Sequence, residues 1–296
     1  MSAPPPQVLC DFPVLQGVME SYRRSFAHLQ YFFVAAVIPA VLSLGIAVVS
    51  LRTTINFAND PENGSSLAVV LLVLLAYVPY VVFAVAWFRL ALLGEEVARP
   101  MLFTGWYRRH WRFLRLILAM LLLTMLVGAL GGLVFSVLLF GLGGVFSEML
   151  QDENTAIFLF GVAGVIVGLV AGIVVLRMSF VFPAVSVDED YKMAMSWRHT
   201  KGQGWRLLCA LTLAATPFFL LSVLLNGLLG VPLDIGGGEP VGFGAGFYLM
   251  QAINVILGYM LTAVAIELIS LAFRSCTGWI PADHGGLAPS GDQRSS

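Results

Sequence analysis

Three ionisable residues stand inside long apolar runs of this 296-residue chain: Arg89 in WFRLAL, Arg177 in VLRMSF and Glu267 in AIELIS. They are 88 and 90 residues apart, so each falls near the same depth of its run. A charge at the centre of a bilayer costs about 2.5–3.5 kcal/mol on insertion scales, and less near the ends. Two arginines and one carboxylate brought together, with Glu267 bridging Arg89 and Arg177, would make one of two things. One is a polar site for a lipid phosphate or a substrate anion. The other is a structural ion cluster that holds the surrounding helices together. The arginines can snorkel toward a membrane surface. Glu267 reaches less far, because it precedes Arg274 by seven residues, about 10 Å along a helix.

The other candidates are weaker. Asn226 and Asn254 fall in the outer halves of apolar runs, where side-chain hydrogen bonds between helices account for them and a substrate contact is the competing reading. Gly164, Gly168 and Gly172 repeat every fourth residue, with Gly161 nearby, and give a face for close packing within the chain or for dimerisation. Glu95-Glu96 and Asp188-Glu189-Asp190 read as solvated loops or helix starts, the second set capping a helix that begins near Tyr191. The four histidines (His28, His110, His199, His284) are dispersed, and the three cysteines (Cys10, Cys209, Cys276) form no CxxC. No HExxH, nucleophile elbow or phosphate loop is present. The expectation is therefore no catalytic residue, no metal and no cofactor.

The elements that position these residues follow from composition. The chain is 59% hydrophobic and 11% charged, against about 25% charged in soluble domains. Six apolar runs are each long enough to cross a bilayer, which takes about 20 residues. They are Tyr31–Leu51, Leu67–Leu93, Leu116–Phe140, Ile157–Phe182, Leu207–Leu229 and Phe247–Phe273. The sequence thus predicts an all-α membrane protein of six transmembrane helices. Residues 1–17 read as a disordered tail, 18–274 as one membrane domain and 275–296 as a second tail.

Orientation follows from Lys and Arg. The N-terminal segment, the second and fourth connections and the C-terminal tail hold nearly all of them, whereas the first, third and fifth connections hold Arg52 alone. Positive residues stay in the cytoplasm, which places both termini inside. There is no basic domain of the sort that binds nucleic acid. An aromatic-basic segment precedes each pair of spans: Tyr22-Arg23-Arg24, Tyr107-Arg108-Arg109 and Trp197-Arg198-His199. Together with the spaced charges, this predicts three tandem repeats of an interfacial helix, an outward span and a return span.

The segment from Arg177 to Arg206 carries a further pattern: Arg177, Pro183, Asp188, Ser196-Trp197, Thr200, Gly202 and Trp205-Arg206. It resembles a broad group of bacterial inner-membrane proteins that includes YciC-like proteins and the membrane domain attached to some glycerophosphodiester phosphodiesterases. The resemblance implies a six-span architecture in the bacterial inner membrane. Hydrolysis in that group belongs to a separate soluble domain that these 296 residues do not contain, so no hydrolase activity carries over. Trp197, Thr200, Gly202, Trp205 and Arg206 are the interfacial motif that the resemblance marks.

The functional expectation is a non-enzymatic integral membrane protein whose partners are membrane lipids, bound through a charged cluster near the cytoplasmic leaflet. A transporter or permease component, and a membrane scaffold for a partner protein, are the alternatives.

Overall fold

A computed structural model describes residues 12–59, 66–98, 106–141, 153–228 and 245–281. Every regular element in them is a helix: α1 (Val14–Ala27), α2 (Leu29–Asn59), α3 (Ser66–Leu93), α4 (Glu95–Ala98), α5 (Arg108–Gly141), α6 (Glu153–Met178), α7 (Val181–Ser186), α8 (Met193–His199), α9 (Gly204–Leu228) and α10 (Ala245–Thr277). Six of the ten, α2, α3, α5, α6, α9 and α10, are long and apolar enough to span a membrane. A bilayer offers no water to backbone groups, so a continuous helix is the conformation such apolar runs take. Pro39, Pro79 and Pro217 lie within helices and do not end them.

Each odd-numbered span packs on the one that follows it, giving the pairs α2–α3, α5–α6 and α9–α10. The pairs join through α3–α5, α6–α9 and the contacts of α10 with α2 and α3. Phe83 of α3 anchors the last junction. It stacks on Trp87 at 5.6 Å and meets the edge of Tyr259 in α10 at 4.9 Å. The Tyr259 hydroxyl is 2.8 Å from that of Ser43 in α2. Farther out, the hydroxyl of Ser222 in α9 donates to Asn254 Oδ1 in α10 at 2.9 Å, and Asn226 Nδ2 donates to the Ser222 carbonyl at 2.7 Å. The two asparagines are thus joined through Ser222, and hydrogen bonding within and between α9 and α10 occupies them.

Three boundaries depart from the sequence expectation. Residues 12–17, read as part of a tail, are folded: Phe12 is buried against Gly17, and α1 starts at Val14. At the other end α10 runs to Thr277, and Trp279 packs beyond it. The basic stretch before the third span is not a separate helix from Arg108 onward, because α5 begins there. Nothing between Arg108 and Gly128 breaks a helix, and Arg108, Arg112 and Arg115 recur at helical spacing. The charges therefore sit on the first turns of the span itself. Before it only α4 is described, one turn that follows Gly94, whose φ of +86° closes α3. The seven residues 99–105, which would complete this segment, lie outside the described residues.

Close helix packing also falls elsewhere than expected. A Cβ added at Gly164 or Gly168 would meet nothing within 4 Å, and one at Gly172 only Leu208 at 3.4 Å. The near approach of α5 and α6 is instead at Gly131, where a Cβ would lie 2.6 Å from Val167 Cγ2 and 3.3 Å from its Cβ. Valine is stiff and cannot swing clear. Gly131→Ala should therefore lower stability by about 1–3 kcal/mol through overpacking, whereas Gly164→Ala and Gly168→Ala should leave it unchanged or slightly raised. Melting temperatures of the purified variants in one detergent check the contrast. Equal effects at all three positions would contradict this packing.

Candidate functional site

The ends of the spans that carry most of the arginines hold three separate polar junctions. The first centres on Asp188. Helix α7 ends by returning two amides onto its last turn: Asp188 N donates to Val185 O at 3.2 Å, and Glu189 N to Ala184 O at 2.9 Å. This double bond pattern requires a left-handed residue, usually glycine, and Asp188 fills it with φ 64°. An L-residue other than Gly pays roughly 1–2 kcal/mol there, least for Asn and Asp. What the strained position provides is placement. Asp188 Oδ2 lies 3.2 Å from Arg109 Nη1 of α5 and 3.9 Å from Arg89 Nη1 of α3. Arg89, only 7% exposed, also donates to the Ser186 carbonyl at 3.0 Å. Asp188 therefore ends the fourth span's extension and ties it to the second and third spans. It does not cap the next helix, as the sequence suggested. That helix, α8, has Lys192 at its N-cap with no side-chain capping bond.

The second junction belongs to Arg177. Its guanidinium carbon stands 3.6 Å from the centre of the Trp197 ring, and Nη2 donates to the Trp197 carbonyl at 2.9 Å. Its own backbone carbonyl lies in the last turn of α6, where no amide of that helix remains to bond it. Ser196 Oγ donates to that carbonyl at 2.7 Å, and Thr200 Oγ1 lies 3.0 Å from it. Gly202 turns the chain with φ 78°, and at Gly204 an added Cβ would lie 2.9 Å from Ile173 and 3.1 Å from the Arg177 stem. Trp205 and Arg206 are exposed. The motif from Arg177 to Arg206 is thus a clasp that closes the end of α6.

The third junction lies beneath α1. Glu267 of α10 is 1% exposed, and the charged groups facing it are Arg24, Arg274 and Glu20. Arg274 donates to the Leu92 carbonyl at the end of α3. Glu20 is paired with Arg24 at 2.8 Å and Arg23 at 2.9 Å, which hold its carboxyl below the usual range. Tyr22 donates to the Ala214 carbonyl of α9 at 2.7 Å, and burial pushes its phenol up.

Arg89, Arg177 and Glu267 therefore do not meet. The charges facing Arg89 are Arg109 and Asp188, those facing Glu267 are on α1 and α10, and Arg177 is among neither. Arg89 turns to Asp188 and the Ser186 carbonyl, Arg177 to Trp197, and Glu267 to Arg24 and Arg274. Burying three charges on the bundle axis would cost several kcal/mol of desolvation per ion, whereas Arg89 and Arg177 reach carbonyls of the connecting segments, at Ser186 and Trp197.

The arrangement that spacing did not reveal is a groove of about 800 Å³ beside the first junction. One wall is Arg112, Arg115, Leu116 and Ala119 of α5, and the other is Val181 and Val185 of α7 with the Asp188–Tyr191 connection. Continuing the third span back to Arg108 would have put Arg112 and Leu116 on one helical stripe. A second cavity, about 890 Å³, lies between α1 and the end of α10. Among the described residues, no three His, Cys, Asp or Glu side chains are grouped to hold a metal.

Two outcomes test these junctions. Asp188→Asn keeps the left-handed preference but removes the charge, and should cost about 1–3 kcal/mol; Asp188→Ala should cost about 1 kcal/mol more, because it also keeps the strain. Chemical or thermal unfolding of both variants checks the order. The second outcome concerns Tyr191 and His199, whose hydroxyl and Nδ1 lie 2.7 Å apart. Burial raises the Tyr191 phenol; burial and then Arg198 lower His199. The folded state so binds fewer protons at His199 than the unfolded chain. The stability it contributes is whole above about pH 6.5 and is lost as pH falls through the depressed value. Melting temperature should drop from about pH 7.5 to about pH 5.5, and His199→Gln should flatten that slope.

No family model, curated protein or solved structure matches this chain.

Proposed function

We propose that this is a non-enzymatic protein of the bacterial inner membrane that binds phospholipid in the groove between α5 and α7, both termini facing the cytoplasm. The observation that carries the reading is that groove. Its α5 wall offers Arg112 and Arg115 with the apolar Leu116 and Ala119, and its other wall is apolar at Val181 and Val185 before the acidic connection from Asp188. Arg112 makes no hydrogen bond or ion pair among the described residues, and Arg115 bonds only through Nε to the Trp111 carbonyl at 3.4 Å. Two guanidiniums with free donors beside an apolar wall suit a phosphate ester with acyl chains. Exposed Trp111, Trp197 and Trp205 lie at the same ends of the spans, as residues at headgroup level do.

The internal triplication belongs to the same proposal, and the packing supports it. Helix α8 lies on α6 with Ser196, Trp197 and Thr200, and α1 lies on α9 and α10 with Ser21, Tyr22 and Ser25 at the same spacing. In this reading α1 and α8 each seal the inner end of a return span.

Native mass spectrometry of the detergent-purified protein tests the binding reading. Wild type should retain phospholipid, and Arg112→Ala with Arg115→Ala should reduce it roughly tenfold, the loss of one charge-assisted contact of about 1.4 kcal/mol, while melting temperature is kept. Glu267→Gln, which lies at another junction, should retain as much lipid as wild type. Equal retention by the arginine variant and wild type would remove the groove from consideration.

A further inference from the structure

We infer that the groove selects one headgroup class, a zwitterionic phospholipid with a primary ammonium. The inference rests on the lipid-binding reading and adds its specificity. Four groups carry it. Arg112 and Arg115 face the groove from α5 with free guanidinium donors, and Glu189 and Asp190 face it from the connection after α7.

The third carboxylate of the lining, Asp188, is already engaged by Arg109 and Arg89. Glu189 Oε1 accepts from Trp279 Nε1 at 3.1 Å, a neutral donor that leaves the carboxylate charge in place. Asp190 is exposed and has no hydrogen bond or ion pair among the described residues. The charges left to a ligand are thus two positive on one wall and two negative on the other. An anionic headgroup would satisfy the arginines and confront the carboxylates, and a cation alone would do the reverse. A phosphate with an ammonium two carbons away satisfies both walls at once.

Between zwitterions, the lining favours a primary amine. A quaternary ammonium donates no hydrogen bond and is held by aromatic faces. Tyr191 is the one aromatic residue of the lining, and it is buried against Phe273 and His199. A primary ammonium has three N–H donors for carboxylate oxygens. That the ligand is a lipid and not a free phosphoamine follows from the continuation of the groove. Leu116, Ala119, Val181 and Val185 lie below the charges. Exposed Leu122, Met125 and Leu126 extend the apolar face along α5. A volume near 800 Å³ is in the range of pockets that enclose a small molecule, enough for a headgroup with its glycerol.

The test is competitive retention. The full chain is reconstituted into nanodiscs of equal phosphatidylethanolamine, phosphatidylglycerol and phosphatidylcholine, then released and weighed by native mass spectrometry. Wild type should hold phosphatidylethanolamine over each competitor by roughly fivefold, the scale of one exposed ion pair. Asp190→Asn, an exposed change with no internal partner to lose, should reduce that preference, and Asp190→Asn with Glu189→Gln should abolish it while lipid is still held. Soluble phosphoethanolamine in large excess should not displace the lipid. Equal retention of the three lipids by wild type, or a preference unchanged in both carboxamide variants, would overturn the headgroup assignment and leave lipid binding standing. Displacement by soluble phosphoethanolamine would overturn the choice of a lipid over a free phosphoamine. No retention from any composition would overturn both readings.

Discussion

The junction of the second, third and fourth spans, and the groove beside it, depend on one carboxylate held in an unfavourable backbone conformation. Asp188 occupies the left-handed position that closes α7, where glycine would be unstrained. From there it reaches Arg109 on α5 and Arg89 on α3. A buried guanidinium without a counter-charge is among the costlier things a membrane helix can carry. Arg89 escapes that cost through two groups, the carboxylate and the Ser186 carbonyl, both supplied by the same short segment. Three spans are thereby fixed relative to one another by a turn of a few residues. The turn also sets the walls of the groove, since Asp188 to Tyr191 form one side of it.

The motif around Arg177 solves a different problem by related means. A helix that ends near a membrane surface leaves carbonyls without amides. Here the hydroxyls of Ser196 in α8 and of Thr200 at its C-cap come to the Arg177 carbonyl, while the Arg177 side chain lies on Trp197. Both ends of one residue are used, the backbone as acceptor and the side chain as a stacking cation. Trp197, Thr200 and Gly202 act here to close a helix and turn the chain, which explains their spacing without any ligand. A pattern of such residues identifies an architecture more readily than an activity.

The architecture was legible because apolar runs in lipid have only one secondary structure open to them. Six runs became six helices long enough to cross a membrane. Asn254 accepts a bond from Ser222 between α9 and α10, whereas Asn226 bonds back within α9. The misreadings share a cause. Depth along a helix can be counted in residues, but azimuth cannot be fixed without knowing the neighbours. Arg89, Arg177 and Glu267 recur at near-equal spacing but face different neighbours, so the expected bridge does not form. Of Gly161, Gly164, Gly168 and Gly172, which have the spacing of a contact face, only Gly172 meets another helix, at Leu208, while Gly131 receives Val167. Polarity misled in the stretch Arg108–Arg115, whose arginines suggest an interfacial helix apart from the span although nothing there interrupts α5. The groove lies along that misread boundary, so it could not be seen until the helix was extended.

The placement of charge around the groove follows from the same economy. Of the residues near it, Arg89 and Arg109 both reach Asp188, which leaves that carboxylate little to offer a ligand. Had Asp188 stood elsewhere, Arg109 would have been free to pair with Glu189 or Asp190, and the groove would have held a closed set of internal ion pairs. Because the strained turn takes up Arg109, Glu189 and Asp190 remain on one wall, and Arg112 and Arg115 remain on the other. Opposed and separated charges of this sort are held apart by helix geometry, at some cost to stability, since each would be better off paired. A ligand carrying both signs relieves that cost on both walls together, which is why the groove discriminates by the pattern of charge and not by its net value.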